Sequence, residues 1–417
     1  MPERVTPERT THPVVFLILF LPMGISNGYV VVTLGYLLTH AGISVSAVAG
    51  LVALSLIPQT WKFLWAPVVD TTLTNKIWFL IAAAVTGLLM IGTAIIPQSS
   101  ANLLPIEAMV VGFSLASTFN MMAADSLMAH ATAPEDKGRA GGWSQAGNLG
   151  GQGLGGGAGL WLAQHVDAQW VSGTALGLAC VFAALAVLWV DEPPSEHRAT
   201  RYIDSLKNVG KDVWSIVRKR LGFLALLLMC LPIGTGAAQN LWSAVAGDWH
   251  ASADTVALVN GAMGGAVAMI GCVVGGYICD AMDRKLAFNL FGLLLGVCAV
   301  AMAIAPRTEM MFIVFTLVYA FVTGFCYAAF GAVVLEAIGA GAAATKYNVL
   351  AGIANAPIAY LTVIDGWAQT KWGAWGMLSA DALGPVVGVG VFILIALGTR
   401  RLFGRESLAK KASQFRA

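Results

Sequence analysis

Twelve long apolar stretches take up almost the whole chain, and they fall into two sets of six. Hydrophobic residues make up 58% of the sequence and charged residues only 11%, whereas a soluble domain usually carries about 25% charged residues. So much apolar surface requires lipid as its solvent. Runs of this length without alternating polarity exclude a barrel, so helices must satisfy the backbone groups. The sequence predicts an all-α integral membrane protein with twelve transmembrane helices in two six-helix bundles related by a pseudo-twofold axis.

The twelve predicted spans set the domain organisation. A helix needs about 20 apolar residues to cross the hydrocarbon core, and each stretch has about this length. Two six-span halves joined by a polar linker are typical of an internally duplicated transporter. We predict an N-terminal bundle at 1–190, a cytoplasmic linker at 191–220, a C-terminal bundle at 221–400 and a cytoplasmic tail at 401–417. The predicted spans are Val14–Leu38, Ser46–Trp65, Ile77–Pro97, Leu103–His130, Ala140–Gln164, Trp170–Val190, Leu221–Gly247, Thr255–Cys279, Leu286–Ala305, Met310–Ala337, Thr345–Gln369 and Gly376–Thr399.

Lysine and arginine set the orientation of these spans. If the N-terminus is cytoplasmic, 21 of the 24 basic residues lie on the cytoplasmic side, Arg307 and Lys371 face outward, and Lys62 lies inside a span. Because cytoplasmic loops carry the excess of Lys and Arg, we expect both termini in the cytoplasm and the chain in a bacterial inner membrane. The net charge of +2 reflects this topology and gives no support to nucleic-acid binding.

The polar linker contains a predicted amphipathic helix. Two prolines, at 193 and 194, end the sixth span because proline cannot continue a helix. Apolar side chains then recur at helical spacing among basic residues, which is typical of a helix lying on anionic membrane lipid. A partner-binding helix is the alternative. The recurring apolar residues are Ile203, Leu206, Val209, Val213, Ile216 and Val217.

The cysteines give no indication of a metal site. None has metal-ligand spacing, and all lie in or at the end of apolar spans, where cysteine packs as a small apolar residue. We therefore expect no metal and no other cofactor. The six cysteines are Cys180, Cys230, Cys272, Cys279, Cys298 and Cys326.

A short loop pattern occurs at the same place in each half. Between spans two and three, a small residue stands four positions before Asp70; between spans eight and nine, another stands four positions before Asp280, with Arg284 and Lys285 following. The pattern resembles the loop motif G-x-x-x-D-x-x-x-R-K of the major facilitator superfamily, although the first copy lacks the glycine and the arginine. The resemblance implies that these four charged residues form a latch between helix ends when such a protein faces outward.

Span five is rich in glycine. Gly147, Gly151, Gly155 and Gly159 stand four apart and therefore share one face of a helix. No Gly-Lys-Ser/Thr follows, which excludes a nucleotide-binding loop. Small residues at this spacing let helix backbones approach closely. The pattern predicts a packing and sliding seam between moving helices.

Charged residues inside the spans point most directly to function, because burying a charge in a membrane is costly. Asp125 lies inside span four, and Glu336 lies near the cytoplasmic end of span ten. We expect these carboxyls to bind and release a proton, with His130 as a relay; pairing with a nearby basic residue is the alternative. Lys62 either snorkels to the interface or binds an anion. Three carboxyls near outer helix ends are expected to be solvated: Glu107, Asp365 and Asp381.

Polar and aromatic side chains recur in the spans that line the central cavity of the superfamily, which are spans one, four, seven and ten. Donors on four such spans favour a polar organic solute, although intramembrane amides also bond neighbouring helices. Residues 355–357, Asn-Ala-Pro, are expected to kink span eleven. The expected solute-binding residues are Asn27, Tyr29, Gln59, Lys62, Asn120, Gln239, Asn240, Trp242, Tyr319, Thr323 and Tyr327.

Several stretches resemble the AmpG-like branch of this superfamily, which includes muropeptide permeases and is related to acetyl-CoA transporters. Trp61–Asp70 is similar to the branch signature K-F-L-W-[AS]-P-x-x-D, and Ala344–Tyr347 is similar to its motif A-T-[QK]-[FY]. Asn120 and Asp125 resemble the fourth-span acidic motif of the branch, and Ala133–Arg139 resembles the loop after it; the motif usually has a second Asp where this chain has His130. Branch members import cell-wall fragments, siderophores or acyl-CoA, typically with a proton.

These patterns predict a monomeric secondary transporter that imports a polar organic solute with protons by alternating access. The resemblance favours a muropeptide-like solute, with a siderophore, acyl-CoA or drug-type solute as the alternative. A membrane-embedded enzyme such as an acyltransferase would need a His–acid constellation at the membrane face, for which only His130 is placed, so no enzymatic activity is expected. A sensor that binds without moving its ligand is a third class, and counterflow of labelled solute separates these possibilities.

Overall fold

The computed structural model describes residues 11–12, 14–131, 137–166, 168, 170–192, 204, 207, 210–211, 214, 217–338 and 349–414, and its regular structure in these ranges is helical throughout. Nine segments there are long and apolar enough to cross a membrane. The last of them, Val349–Thr399, contains two helices that meet at Gly373, which has a φ of 66°. The glycine-rich segment 137–165 and an interrupted helix that begins at Arg220 bring the described helices to twelve. The predicted twelve-helix architecture is confirmed.

We number these helices α1 to α12 in chain order, six in each half. The chain termini define the terminal end of the bundle, and the opposite end is called the distal end. The bounds are α1 Val15–His40, α2 Val45–Leu64, α3 Asn75–Ile95, α4 Leu103–Ala131, α5 137–165, α6 Trp170–Trp189, α7 Arg220–Cys230 continuing at 237–249, α8 Ala253–Cys279, α9 Arg284–Ile304, α10 Glu309–Ile338, α11 349–372 and α12 374–414.

Short polar side chains set where three of the helices begin. Ser44 accepts a hydrogen bond from the N–H of Ala47 at the start of α2, and Thr74 accepts one from the N–H of Ile77 at the start of α3. Asp283 accepts from two backbone N–H groups at the start of α9. Each contact satisfies a donor that has no partner within the helix, so these loops end at defined residues.

The glycine-rich face of α5 packs directly against α1. A methyl group at Gly155 would overlap the carbonyl oxygen of Ile25, and one at Gly151 would lie 2.6 Å from the carbonyl oxygen of Leu21. Backbones this close leave no room for side chains on that face. The close packing predicted for this face is therefore confirmed, between two helices of the same half, whereas sliding between moving helices stays a prediction. Contact with the other half comes from a different face of α5.

Helix α7 is interrupted where the sequence predicted a continuous span. Its first segment ends at Cys230, and the chain becomes helical again at Ala237. Pro232 lacks an N–H for a helical hydrogen bond, while Gly234 and Gly236 each adopt a φ of 64°, a conformation that glycine adopts without steric cost. The prediction of an unbroken span was wrong because these three residues act together. The predicted disruption of α11 is confirmed by a turn at Ala354.

The two halves contact each other toward the distal end. The hydroxyl of Ser243 in α7 donates a 2.6 Å hydrogen bond to the backbone oxygen of Val31 in α1. His165 at the end of α5 lies 3.9 Å from Asp254 at the start of α8. Deeper in the bundle, α5 and α8 approach so closely that a methyl group at Gly261 would lie 2.6 Å from the α-carbon of the facing glycine. These contacts close the distal side between the halves.

Most of the predicted amphipathic linker helix lies outside the described residues, including its apolar residues from Ile203 to Ile216. The described positions include Asp204, Lys207, Lys211 and Trp214, which are helical and exposed. The lipid-binding and partner-binding interpretations both stay predictions.

Candidate functional site

Two adjoining cavities lie between the halves. The larger, of about 260 Å³, is lined mainly by α1, α2, α4 and α5. The smaller, of about 120 Å³, is lined mainly by α1, α7, α8 and α10. Asn27, Gln152 and Tyr327 line both cavities, which therefore adjoin at these side chains, and we call the two together the polar space. Ligand pockets of about 300–1,000 Å³ are usual, and this space lies at the lower end of that range.

The larger cavity contains the intramembrane lysine of α2. Lys62 is only 5% exposed, and its Nζ lies 3.8 Å from the sulfur of Met121 in α4. Asp125, one helical turn beyond Met121, is close enough for its charge to interact with that of Lys62. A buried ammonium needs a compensating charge; Asp125 is the carboxyl whose charge acts on Lys62, although the two side chains form no ion pair within 4 Å. Gln59, one turn before Lys62, lines the same cavity.

The smaller cavity has polar atoms without partners. The amide oxygen of Gln239, the indole N–H of Trp242, both amide atoms of Asn260 and the hydroxyl of Thr316 are buried and have no hydrogen-bond partner among the described residues. All four side chains line this cavity. A buried polar group without a partner costs about 1–3 kcal/mol. These atoms have almost no accessible surface in this structure, so a polar molecule would reach them as donors and acceptors only after the cavity widens.

The interruption of α7 explains why several of these groups face the cavity. Gln239 and Trp242 lie in the first two turns after the non-helical residues 231–236. Asn240 donates a 3.0 Å hydrogen bond to the hydroxyl of Thr362 in α11. Thr323 of α10 contributes to the lining from the opposite side. Non-helical backbone within a membrane protein is tolerated where it is buried in protein or lines a cavity, as it does here.

Three predicted solute-binding residues lie away from both cavities. Tyr29 is buried within the N-terminal half and hydrogen-bonds the hydroxyl of Thr93 at 3.2 Å. Asn120 is buried against α3, where it donates to a backbone oxygen at 3.4 Å. The hydroxyl of Tyr319 donates a 2.8 Å hydrogen bond to Asp381. The structure does not bring these three side chains together with the cavity residues.

Several cavity residues were missed by the sequence analysis. Asn148 and Gln152 of α5 line the larger cavity, and Gln152 donates a 3.3 Å hydrogen bond to Asn148. Their spacing of four places them on one face of α5 beside the glycine seam. We interpreted this span only as a packing surface, yet two amides four apart in a membrane helix were a usable signal. Asn355, interpreted as a kink residue, also lines this cavity.

Among the predicted latch and proton residues, Lys285 and Glu336 are ion-paired. The Nζ of Lys285 lies 2.6 Å from Oε1 of Glu336, and the side chains are 17% and 29% exposed. This pair joins α9 to α10 near the terminal end. Arg284 is partly exposed beside it. The side chains of Asp70, Asp280 and His130 lie outside the described residues.

Two acidic residues expected to be solvated are instead buried. Asp365 of α11 is 0% exposed and Asp381 of α12 is 3% exposed. The expectation was wrong because it considered only their distance from the helix ends. Both face inward, against α7 and α10, rather than outward. Glu107, the third residue of this group, is partly exposed.

A larger cleft of about 930 Å³ between α5 and α8 has different chemistry. Its lining is glycine, alanine, leucine and methionine, with Trp161 and the carboxyl of Asp254 at its distal edge. A specific site for a polar solute needs several convergent polar groups, so the polar space described above is the better candidate.

Comparisons with known proteins agree with this architecture. No curated protein sequence matches the chain. Among solved structures, the nucleoside transporter NupG is similar with a TM-score of 0.69 and 10% identity, over 91% of this chain and 98% of that chain. A D-xylose–proton symporter matches with a TM-score of 0.68 and 14% identity, over 90% and 96%.

A third similar structure is a bacterial homologue of the human lysosomal transporter Spinster in an inward-facing, unoccupied conformation. Its TM-score is 0.64 and its identity 17%, over 92% of this chain and 94% of that chain. At these identities the likeness concerns the fold. The sequence model of the Major Facilitator Superfamily matches residues 14–359. The chain therefore belongs to the Major Facilitator Superfamily.

Proposed function

We propose that this protein uses a proton gradient to import a small polar organic solute through the polar space between its halves. Family membership makes it a multi-pass membrane transporter. The observation that supports the proposal is the set of unpartnered polar atoms on Gln239, Trp242, Asn260 and Thr316, four residues that line one cavity. A solute with hydroxyl or amide groups would satisfy these atoms, and its exit would leave them to water.

Protons enter the proposal through Asp125 and Lys62. In the ionised state, Asp125 would provide the negative charge that acts on the buried ammonium of Lys62. When Asp125 takes up a proton, Lys62 loses that compensation and becomes available to an anionic or hydroxyl-bearing group of the solute in the same cavity. Solute and proton then support each other's binding, which is the requirement for coupled transport.

We propose that the solute belongs to the classes carried by the AmpG-like branch, and that it contains a saccharide, as peptidoglycan fragments do. Resemblance at Trp61–Asp70 supports the branch. The cavity volumes of about 260 and 120 Å³ suit a sugar-sized group, so a larger muropeptide would enter only after the halves separate further. Siderophore, acyl-CoA and drug-type solutes stay the alternatives.

We further propose that both termini are cytoplasmic, so that the closed distal end faces outward and the larger cavity lies toward the cytoplasm. The excess of basic residues on the terminal side supports this orientation. Asp70, Asp280, Arg284 and Lys285 would then latch the terminal end when the transporter faces outward. The same proposal divides the chain into an N-terminal bundle that ends at residue 190 and a C-terminal bundle that begins at residue 221. It also places the protein in the inner membrane, where it acts as a monomer.

The test of function begins with ligand identification. Purified protein is screened by thermal shift against peptidoglycan fragments, siderophores, CoA esters, nucleosides and sugars, and each stabilising compound is then used in counterflow with reconstituted vesicles. We expect a labelled saccharide-containing compound to exchange across the membrane without chemical change. Binding without counterflow would contradict transport and favour a sensor, and chemical conversion of the compound would favour an enzyme.

Replacing Asn260 with Ala is expected to weaken solute binding about tenfold without lowering the unfolding free energy, because its amide has no partner in the described part of the protein. Binding is measured by titration calorimetry with the identified solute. Asn289→Ala is the matched control, since Asn289 lies in α9, away from both cavities. Equal loss of affinity in both variants would contradict the assignment.

Replacing Glu336 with Gln is expected to leave proton coupling intact and to lower the unfolding free energy by no more than about 1 kcal/mol, as for other partly exposed ion pairs. We expect this result because Glu336 is ion-paired with Lys285. The contact supports the ion-pair role, which the sequence analysis gave as the alternative to proton binding. Solute-driven alkalinisation outside vesicles is the measurement. If coupling disappears in the Gln variant while the Lys285→Met variant retains it, Glu336 is a proton carrier and this assignment is wrong.

A further inference from the structure

The two buried carboxyls of the C-terminal half form a small network that the proposed transport cycle does not use. Oδ2 of Asp381 accepts the 2.8 Å hydrogen bond from the hydroxyl of Tyr319, and its Oδ1 accepts a 3.2 Å hydrogen bond from the backbone N–H of Ala238. Asp365 lies within hydrogen-bonding reach of Asp381. The network therefore connects α7, α10, α11 and α12.

The two carboxyls differ in their surroundings. Asp381 receives two donors, and hydrogen bonds from donors stabilise a carboxylate. Both oxygens of Asp365 are buried, and no donor reaches them among the described residues. Within that same part of the chain, neither carboxyl forms an ion pair with a lysine or arginine. An ionised Asp365 would be a second negative charge beside Asp381 without compensation.

Two adjacent carboxylates that are both buried from solvent are not expected to be ionised together, because their repulsion is poorly screened. A single proton bound to one of the two carboxyls removes this repulsion. Placed on Asp365, it gives that side chain a hydroxyl that donates to the carboxylate of Asp381. This arrangement accounts for the missing donor of Asp365 and leaves the two existing bonds to Asp381 unchanged.

The network also holds the part of α7 that follows its interruption. Ala238 lies two residues after Gly236, and Gln239, which comes next, lines the smaller cavity. The ring of Tyr319 packs edge-on against Trp242, with centroids 5.4 Å apart. Because a carboxylate at Asp381 bonds both the α7 backbone and Tyr319, its environment sets the position of these cavity residues.

We propose that Asp365 and Asp381 are a proton-binding pair that carries one proton on Asp365 and positions the second segment of α7 through Asp381. The titratable side chains at this site are the two aspartates and Tyr319. The faces of α2 and α7 that pack against the pair contribute no titratable side chain among the described residues. The site is separate from Asp125, which lies in the other half. The proposal extends the proposed function but needs no solute and no transport for its test.

Infrared spectroscopy tests the proton directly. We expect the detergent-solubilised wild-type protein at neutral pH to show a protonated-carboxyl stretching band that is lost in Asp365→Asn and retained in Asp125→Asn. Tyr319→Phe should shift the band, because it removes a hydrogen bond from the pair without removing a carboxyl. Loss of the band in Asp125→Asn alone, or no response to either Asp365→Asn or Tyr319→Phe, would overturn the proposal. If the Asp365→Asn variant fails to fold, the shift of the carboxyl band in Tyr319→Phe tests the proposal.

Hydrogen–deuterium exchange tests the link to α7. At one fixed pH, Asp381→Ala is expected to raise exchange in the peptide covering 231–241 about tenfold, the equivalent of one lost hydrogen bond to a charged group, whereas the neutral replacement Asp365→Asn should leave it nearly unchanged. Equal exchange in Asp381→Ala and wild type would contradict the positioning role. A sodium-dependent rise in wild-type thermal stability that disappears in Asp365→Asn would assign the pair to a metal cation and overturn the proton assignment. Failure of transport assays affects none of these readouts.

Discussion

Vesicles containing Asp125→Asn are expected to show no solute-driven proton uptake, while counterflow of labelled solute continues. Asparagine has the shape of a protonated aspartic acid but cannot release a proton, so the variant keeps one state of the proposed cycle permanently. Counterflow moves solute in both directions without net proton transfer and therefore tolerates this state. The measurement compares external pH on addition of solute, with and without a protonophore, in wild-type and variant vesicles.

The control for this prediction lies on the same helix. Glu107 is a partly exposed carboxyl near the distal end of α4, so Glu107→Gln removes a similar group without touching the Lys62 cavity. We expect wild-type proton uptake from this variant. Unchanged coupling in Asp125→Asn would remove Asp125 from the mechanism, whereas loss of both coupling and counterflow would indicate that the carboxyl is needed for solute binding or folding.

The second large effect is expected at the seam between α1 and α5. Gly155→Ala should lower the unfolding free energy by an amount near the upper end of about 1–3 kcal/mol, the usual range for overpacked sites. The added methyl group overlaps the carbonyl oxygen of Ile25, and a backbone atom cannot rotate away as a side chain does. The thermal midpoint in detergent and the midpoint of chemical unfolding both report this change.

Gly150 gives the matched comparison for this seam. It lies on the same helix, and a methyl group there meets no atom within 4 Å. Alanine is favoured over glycine in a helix by about 1 kcal/mol, so Gly150→Ala should leave the midpoint unchanged or raise it. Similar destabilisation by both substitutions would mean that the close approach of α1 and α5 is not what limits stability.

The helical architecture was predictable because its signals are long and local. Apolar runs of bilayer length and the spacing of Gly147 to Gly159 each depend on neighbouring residues in sequence, and the structure agrees with both. The break in α7 had local signals too, in Pro232 and the glycines that follow. These signals did not establish that α7 is interrupted, because transmembrane helices often accommodate proline and glycine.

The candidate site was predictable only by residue type. A sequence shows that Tyr29 and Asn27 are polar and share a helix, but the rotation of that helix decides that Asn27 faces the cavity and Tyr29 faces α3. The pair formed by Asp365 and Asp381 was hidden for a similar reason. Their proximity depends on the turn at Gly373 and on the return of α12 alongside α11.

The shortness of the first α7 segment bears on how the protein is made. Its 11 residues reach only about 16 Å at the rise of an α-helix, against a hydrocarbon core of about 30 Å. Until α12 has been synthesised, the backbone N–H of Ala238, just after the interruption, lacks the carboxylate of Asp381 that accepts its hydrogen bond. Because Asp381 lies on the last helix, this part of α7 reaches its final hydrogen bonding only after the ribosome has synthesised the end of the C-terminal half.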